Sequence, residues 1–170
     1  TLKAQELPPP KSDWAYHLGQ GLQLGDSGLT LGGYGSVRVE DLRRHPPQLT
    51  LSALSLFVSW DTGTRVHFFS EVKLEDVAVT RGARAFDDRD HGIELERLYA
   101  DVYLAEEATV RLGKFLTPIG RWNLIHADPL VWTTSRPLIT SQPFATNTTG
   151  GMLYGSLHPL GRNFDYSVYL

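Results

Sequence analysis

The sequence predicts an all-β fold: an antiparallel up-and-down transmembrane β-barrel, present as an incomplete portion of a larger one. Three observations predict it. From residue 28 onward, apolar residues alternate with polar ones at a period of two, the mark of strands with one apolar face. Several of these runs exceed the usual length of about five or six residues, and a tilted strand crossing a bilayer needs roughly 9–11. The connections also alternate between tight and long, as in a barrel whose two rims face different compartments.

Residues 1–15 read as a tether, because Pro8-Pro9-Pro10 favours an extended polyproline conformation and cannot join a helix or central strand. Residues 16–170 carry the barrel strands. The first spans 28–40, with Leu29, Leu31, Gly33, Gly35, Val37 and Val39 on one face and Thr30, Tyr34, Ser36, Arg38 and Glu40 on the other. The second, 49–60, alternates Leu54, Leu56, Val58 and Trp60 with Ala53, Ser55, Phe57 and Ser59. Leu49 and Leu51 have the opposite parity, which predicts a bulge. The third, 64–79, sets Val66, Phe68, Val72 and Leu74 against His67, Phe69, Glu71, Lys73 and Glu75. The fourth, 93–105, sets Leu98, Ala100, Val102 and Leu104 against Arg97, Tyr99, Asp101 and Tyr103. The fifth spans 108–116. The sixth, 148–158, is glycine-rich with ambiguous facing, and the seventh spans 163–170. A further strand over 16–24 would place the N-terminus on the long-loop rim and is disfavoured.

Tight turns fall at 61–64, 106–107 and 158–162; long connections fall at 41–48, 80–91 and 117–147. This order puts the N-terminus on the short-turn side. The polar face mixes charges with tyrosines, which suits a water-filled lumen. The apolar face is nearly free of charge; Lys114, near a strand end, can snorkel to an interface. Trp60, beside a short turn, fits an interfacial aromatic belt. Seven strands do not complete a bacterial-type barrel, where the number is even, and an open sheet would expose two edges to lipid.

Composition narrows the function classes. A net charge of −3 with mixed signs argues against a nucleic-acid surface. With no cysteine, disulfides, CxxC chemistry and thiolate metal sites are excluded. No apolar run is long enough for a transmembrane helix, and residues 1–13 contain no signal-peptide core.

The segments "GLQLGDSGLTLGGYGSVRVE" (21–40), "LERLYADVYL" (95–104) and "VRLGKFLTPIGRWNLIHADPLVWTTSRPL" (110–138) resemble the N-terminal half of poorly characterised Gram-negative outer-membrane porin-like proteins. The "GKFLTPIG" pattern is similar to the phosphate-selective and related porins, where a strand ends in a comparable Gly-, Phe- and Pro-containing segment. The resemblance covers most of residues 20–170. It implies a location in the bacterial cell outer membrane and passive diffusion of small solutes or ions, with the lipid bilayer as partner, homo-oligomers as an option and no cofactor. It leaves the solute open.

By resemblance of position, the long connection 117–147 is the candidate constriction, folded inward as in general diffusion porins. Trp122, Leu130, Trp132, Leu138 and Phe144 would anchor it. Arg121, His126, Asp128 and Arg136 would present charge to the pore, facing Arg38, Glu71, Arg97 and Arg111 on the wall. Rings of charge raise or lower the barrier for ions of one sign.

No enzyme is expected. The chain lacks GxSxG, Walker A and GxGxxG motifs, and no serine is convincingly paired with a histidine, as a barrel lipase would need. "DDRDHG" (87–92) lacks the spacing and closing Glu of a calcium loop. His126 and Asp128 are too few for a metal site. The alternatives are a soluble antiparallel β-sheet module that binds a ligand, and a structural barrel without a channel.

Overall fold

A computed structural model describes residues 14–41, 46–81, 84–87, 92–125, 127, 130 and 145–170. It is all-β. Ten strands form one antiparallel sheet: β1 (Trp14–His17), β2 (Gly21–Leu24), β3 (Leu29–Glu40), β4 (Gln48–Asp61), β5 (Val66–Arg81), β6 (Arg84–Asp87), β7 (Gly92–Ala105), β8 (Ala108–Leu116), β9 (Asn147–Leu157) and β10 (Phe164–Tyr169). Among the described residues, helix comprises α1 (Arg121–Leu124), one turn, short 3-10 turns at Gly25–Ser27 and Pro159–Gly161, and a 3-10 residue at Leu130.

The sheet is a meander. Each strand pairs with its sequence neighbour, except that β5 pairs β6 at one end and β7 along most of its length. Among the described residues no pairing joins β1 to β10, so the sheet is open along this path. Leu29 stands opposite Trp60, Val66 opposite Val102, and Thr109 opposite Tyr154. These registers gather the links at 25–28, 62–65, 106–107 and 158–163 on one rim. The strand ends that flank the longer connections 41–47 and 117–146 lie at the other.

The segment 16–24 is not one strand. It turns at 18–20 into a small hairpin, with Trp14 opposite Leu24. Trp14 and Ala15, assigned to the tether, already pair in β1, and residues 1–13 lie outside the described residues. Gly19 turns the hairpin at φ 81°, a conformation that costs glycine little.

The faces of the sheet are inverted relative to a water-soluble protein. Leu56 (59% exposed), Val58, Phe68, Leu98, Leu112 and Leu153 all lie open on one face. The other face buries Ser55 and Glu71 completely and leaves Asp101 only 3% exposed. Among the described residues, the buried apolar side chains are Ala53, Phe115, Leu116 and Met152, outnumbered by buried polar ones. Soluble domains ordinarily bury Leu, Ile, Val and Phe and leave Asp and Glu outside. The polar side is called the inner face below.

Bulges set the facing. The register shifts at Ser52, where Ser36 pairs Ala53 and Val37 pairs Leu51; this is where the change of parity predicted a bulge. A second shift falls at Glu96, between the pairs Glu71–Arg97 and Val72–Leu95. The extra residue turns two consecutive charged side chains, Glu96 and Arg97, to the inner face while Leu95 and Leu98 stay exposed.

Candidate functional site

The inner face is built from β3, β4, β5, β7, β8 and β9 and carries several ion pairs, two of which form clusters with aromatic neighbours. In the first, Arg97 Nε donates to Glu71 Oε2 at 2.6 Å, a terminal guanidinium nitrogen meets the same oxygen, and the Tyr34 hydroxyl donates to Glu71 Oε1 at 2.8 Å. Register explains the meeting: Glu71 and Arg97 are direct cross-strand partners. A fully buried carboxylate needs such partners, because an isolated charge loses its hydration without return.

In the second cluster, Arg111 grips Asp101 at two points. Nε donates to Oδ1 and Nη2 donates to Oδ2, each at 2.7 Å. Asp101 and Arg111 also stand directly opposite each other, on β7 and β8. Two parallel N–H···O contacts are the strong form of this interaction. Nη2 reaches the Tyr154 hydroxyl on β9 at 3.3 Å as well.

Aromatic rings join the clusters into one band. Phe57 stacks on Phe69 at 5.9 Å between centroids, and Phe69 stacks on Tyr99 at 5.4 Å. The Arg97 guanidinium lies 4.5 Å from the Phe69 ring centre and that of Arg111 lies 3.7 Å from Tyr99. Such placements gain from the negative face of the ring. Two glycines make room. A Cβ on Gly32 would fall 2.2 Å from Phe57, and one on Gly113, at φ 130°, 2.2 Å from the Leu98 carbonyl oxygen.

Ser59 Oγ lies 2.8 Å from His67 Nε2, and His67 Nδ1 lies 4.0 Å from Asp101 Oδ2. This corrects the expectation that no serine pairs with a histidine. The set Ser–His–Asp is that of a hydrolytic triad, with the histidine and aspartate beyond hydrogen-bond distance. Its aspartate, however, is committed to Arg111, and the serine sits inside a strand paired on both sides, where backbone N–H groups serve the ladder rather than an oxyanion.

The long connection is pinned at its feet. Beyond β8, Thr117 N donates to Thr146 O at 3.0 Å and Thr117 Oγ1 donates to Ala145 O at 2.6 Å. From α1, Asn123 Nδ2 lies 2.7 Å from Thr117 O, 2.8 Å from Thr117 Oγ1 and 2.8 Å from Thr146 O. Thr117 and Asn123 are both buried. Pro118 and Gly120 (φ 72°) turn the chain between them.

A cavity of about 340 Å³ lies on the inner face. Tyr34, Phe57, Phe69 and Arg97 line it from the wall, glycines of the β1–β2 hairpin border it, and Ala127 and Leu130 line it from the long connection.

Of the expected pore residues, Glu71, Arg97 and Arg111 share the inner face. Arg38 lies toward the long-loop rim, 3.9 Å from Glu40. Arg121 opens α1; His126, Asp128 and Arg136 lie outside the described residues, as do Trp132, Leu138 and Phe144 of the expected anchors. Leu130 is exposed but borders the cavity. Lys114 Nζ lies 3.8 Å from Glu94. Sequence reasoning missed Glu96, whose carboxylate lies 3.8 Å from Lys73 Nζ. The signal was present in "IELERL", where apolar parity flips between Leu95 and Leu98. Thr117 and Asn123 had no such signal, because their pairing exists only once the two feet of the loop meet.

Comparison with known proteins adds one relative. The chain is 25% identical over 132 residues to an uncharacterised protein of Aquifex aeolicus (strain VF5), a match that takes in 75% of this chain and 29% of that protein. The chain thus spans less than a third of the curated relative it matches. No protein-family model matches it, and no solved structure does.

Proposed function

We propose that the chain forms part of the wall of an outer-membrane porin-like channel for passive diffusion of small solutes or ions. The observation that carries this reading is the inverted sheet, with an exposed leucine–valine–phenylalanine face opposite buried Glu71 and Asp101. Such polarity is stable where the outer face meets hydrocarbon and the inner face meets water. The gathering of tight turns on one rim supports it, as does the Trp60–Phe68 stack at 5.6 Å close to that rim. Aromatic rings favour the level of the lipid headgroups.

The open sheet must be completed for this role, because unpaired strand edges cannot stand in lipid. The remaining strands come from a longer chain, in keeping with the 29% coverage of the matched relative. Ala127 and Leu130 border an inner-face cavity, which supports an inward course for that part of the long connection. Selectivity then arises from the local field of the paired inner-face charges and from the width left by the loop.

Single-channel recording in a planar bilayer tests the reading, with the complete protein folded in detergent. Discrete conductance steps are expected. Folded protein that gives no conductance, or that is monomeric and soluble without detergent, overturns it.

A further inference from the structure

We propose that the inner-face cavity is a binding subsite for a small organic anion in which a flat apolar ring carries a carboxylate. The volume, about 340 Å³, is at the small end of ligand pockets and suits a one-ring compound. Its wall is largely aromatic: the rings of Tyr34, Phe57 and Phe69 contribute, and Gly32 leaves a gap where a side chain would stand. Among the described residues lining the cavity, the single charged side chain is Arg97. Its partner Glu71 is fully buried behind it and does not line the cavity.

A guanidinium carries five N–H donors in a planar fork. The contacts to Glu71 engage Nε and one terminal nitrogen, which leaves the other terminal nitrogen of this cavity-lining residue outside that pair. Because the guanidinium carbon lies 4.5 Å from the Phe69 ring centre, a cation and an aromatic surface adjoin within one ligand's reach. A carboxylate matches the fork at two points, and a flat ring matches the apolar walls. A neutral ring compound would leave the cation unused, and an inorganic anion would leave the rings unused. The subsite thereby names a solute class for the channel proposed above and rests on that reading for transport only. Binding to the folded protein is measured without a bilayer, so failure of conductance and failure of binding are separate results.

The test is isothermal titration of the complete protein in detergent with benzoate, benzyl alcohol and inorganic phosphate. Benzoate is expected to bind saturably, and each of the other two at least about tenfold more weakly. The double variant E71Q/R97Q removes both charges and keeps a hydrogen-bonding pair, so no buried carboxylate is stranded. It is expected to weaken benzoate about tenfold or more and to leave benzyl alcohol unchanged. A127W introduces an indole at the loop side of the cavity and is expected to abolish benzoate binding; it decides the matter if the double variant does not fold. The proposal is overturned if wild-type protein does not bind benzoate, if phosphate binds as tightly, or if either folded variant binds benzoate as wild type does.

Discussion

Arg111 holds Asp101 by two hydrogen bonds of 2.7 Å each, across adjacent strands and on the inner face of the sheet. Asp101 is 3% exposed, and Arg111 is its bidentate counter-charge. R111M would leave a buried carboxylate without its main counter-charge and is expected to cost about 3–5 kcal/mol. The double variant D101L/R111M, which removes both charges, is expected to recover most of that loss. Denaturant unfolding followed by circular dichroism measures both; equal losses in the two variants would show that the residues are not coupled.

Asn123 ties the two feet of the long connection together through Thr117 and Thr146. N123A is expected to leave the Thr117 carbonyl short of a donor and to remove one of the donors to the Thr146 carbonyl, at a cost of about 1–3 kcal/mol confined to this region. The consequence is local opening rather than global unfolding. Limited proteolysis with mass mapping should show faster cleavage between residues 117 and 146, with the strands protected as in wild type. Unchanged cleavage there would remove Asn123 from its role as a clamp.

Leu56 is exposed on the apolar face, one residue from fully buried Ser55. Under the membrane reading, L56R places a charge in hydrocarbon and is expected to destabilise the inserted state by about 2–4 kcal/mol near the bilayer midplane, less near its interfaces. A soluble sheet would tolerate the same change within about 0.5 kcal/mol. Folding into lipid vesicles, scored by heat-modifiable gel mobility, separates the two.

Gly32 lies under the Phe57 ring, with only 2.2 Å between the ring and the position a Cβ would take. G32A must push Phe57 off its stack with Phe69, and overpacking of this kind costs about 1–3 kcal/mol. G32A/F57L, with a smaller and more adaptable side chain at 57, is expected to be more stable than G32A alone. Thermal unfolding of the three proteins checks it, and a G32A protein as stable as wild type would show that the ring moves freely.

Much of the wall was legible in the chain itself. The alternation of Leu54, Leu56, Val58 and Trp60 with Ser55 and Ser59 marks β4 because a strand turns successive side chains to opposite faces, a local property that needs no partner. The same holds for β3, β5 and β7, and the parity change at Leu49–Leu51 exposed the bulge at Ser52. The 16–24 segment was less legible, because its apolar residues are too few to tell one strand from a hairpin.

What the sequence by itself determined was therefore the strands, their direction and which residues share a face. Alternation marked the face of Glu71 and Asp101 as the one turned away from Leu56 and Leu112, but it could not say how deeply either carboxylate is buried, which only the assembled sheet decided. Nor could it pair Glu71 with Arg97, Asp101 with Arg111, or Ser59 with His67, because those meetings depend on register. Register in turn was decided by bulges at Ser52 and Glu96, each of which shifts every later partner along the strand. The clamp of Asn123 on Thr117 and Thr146 needed the chain to leave the sheet and return to it, a closure that no local pattern encodes.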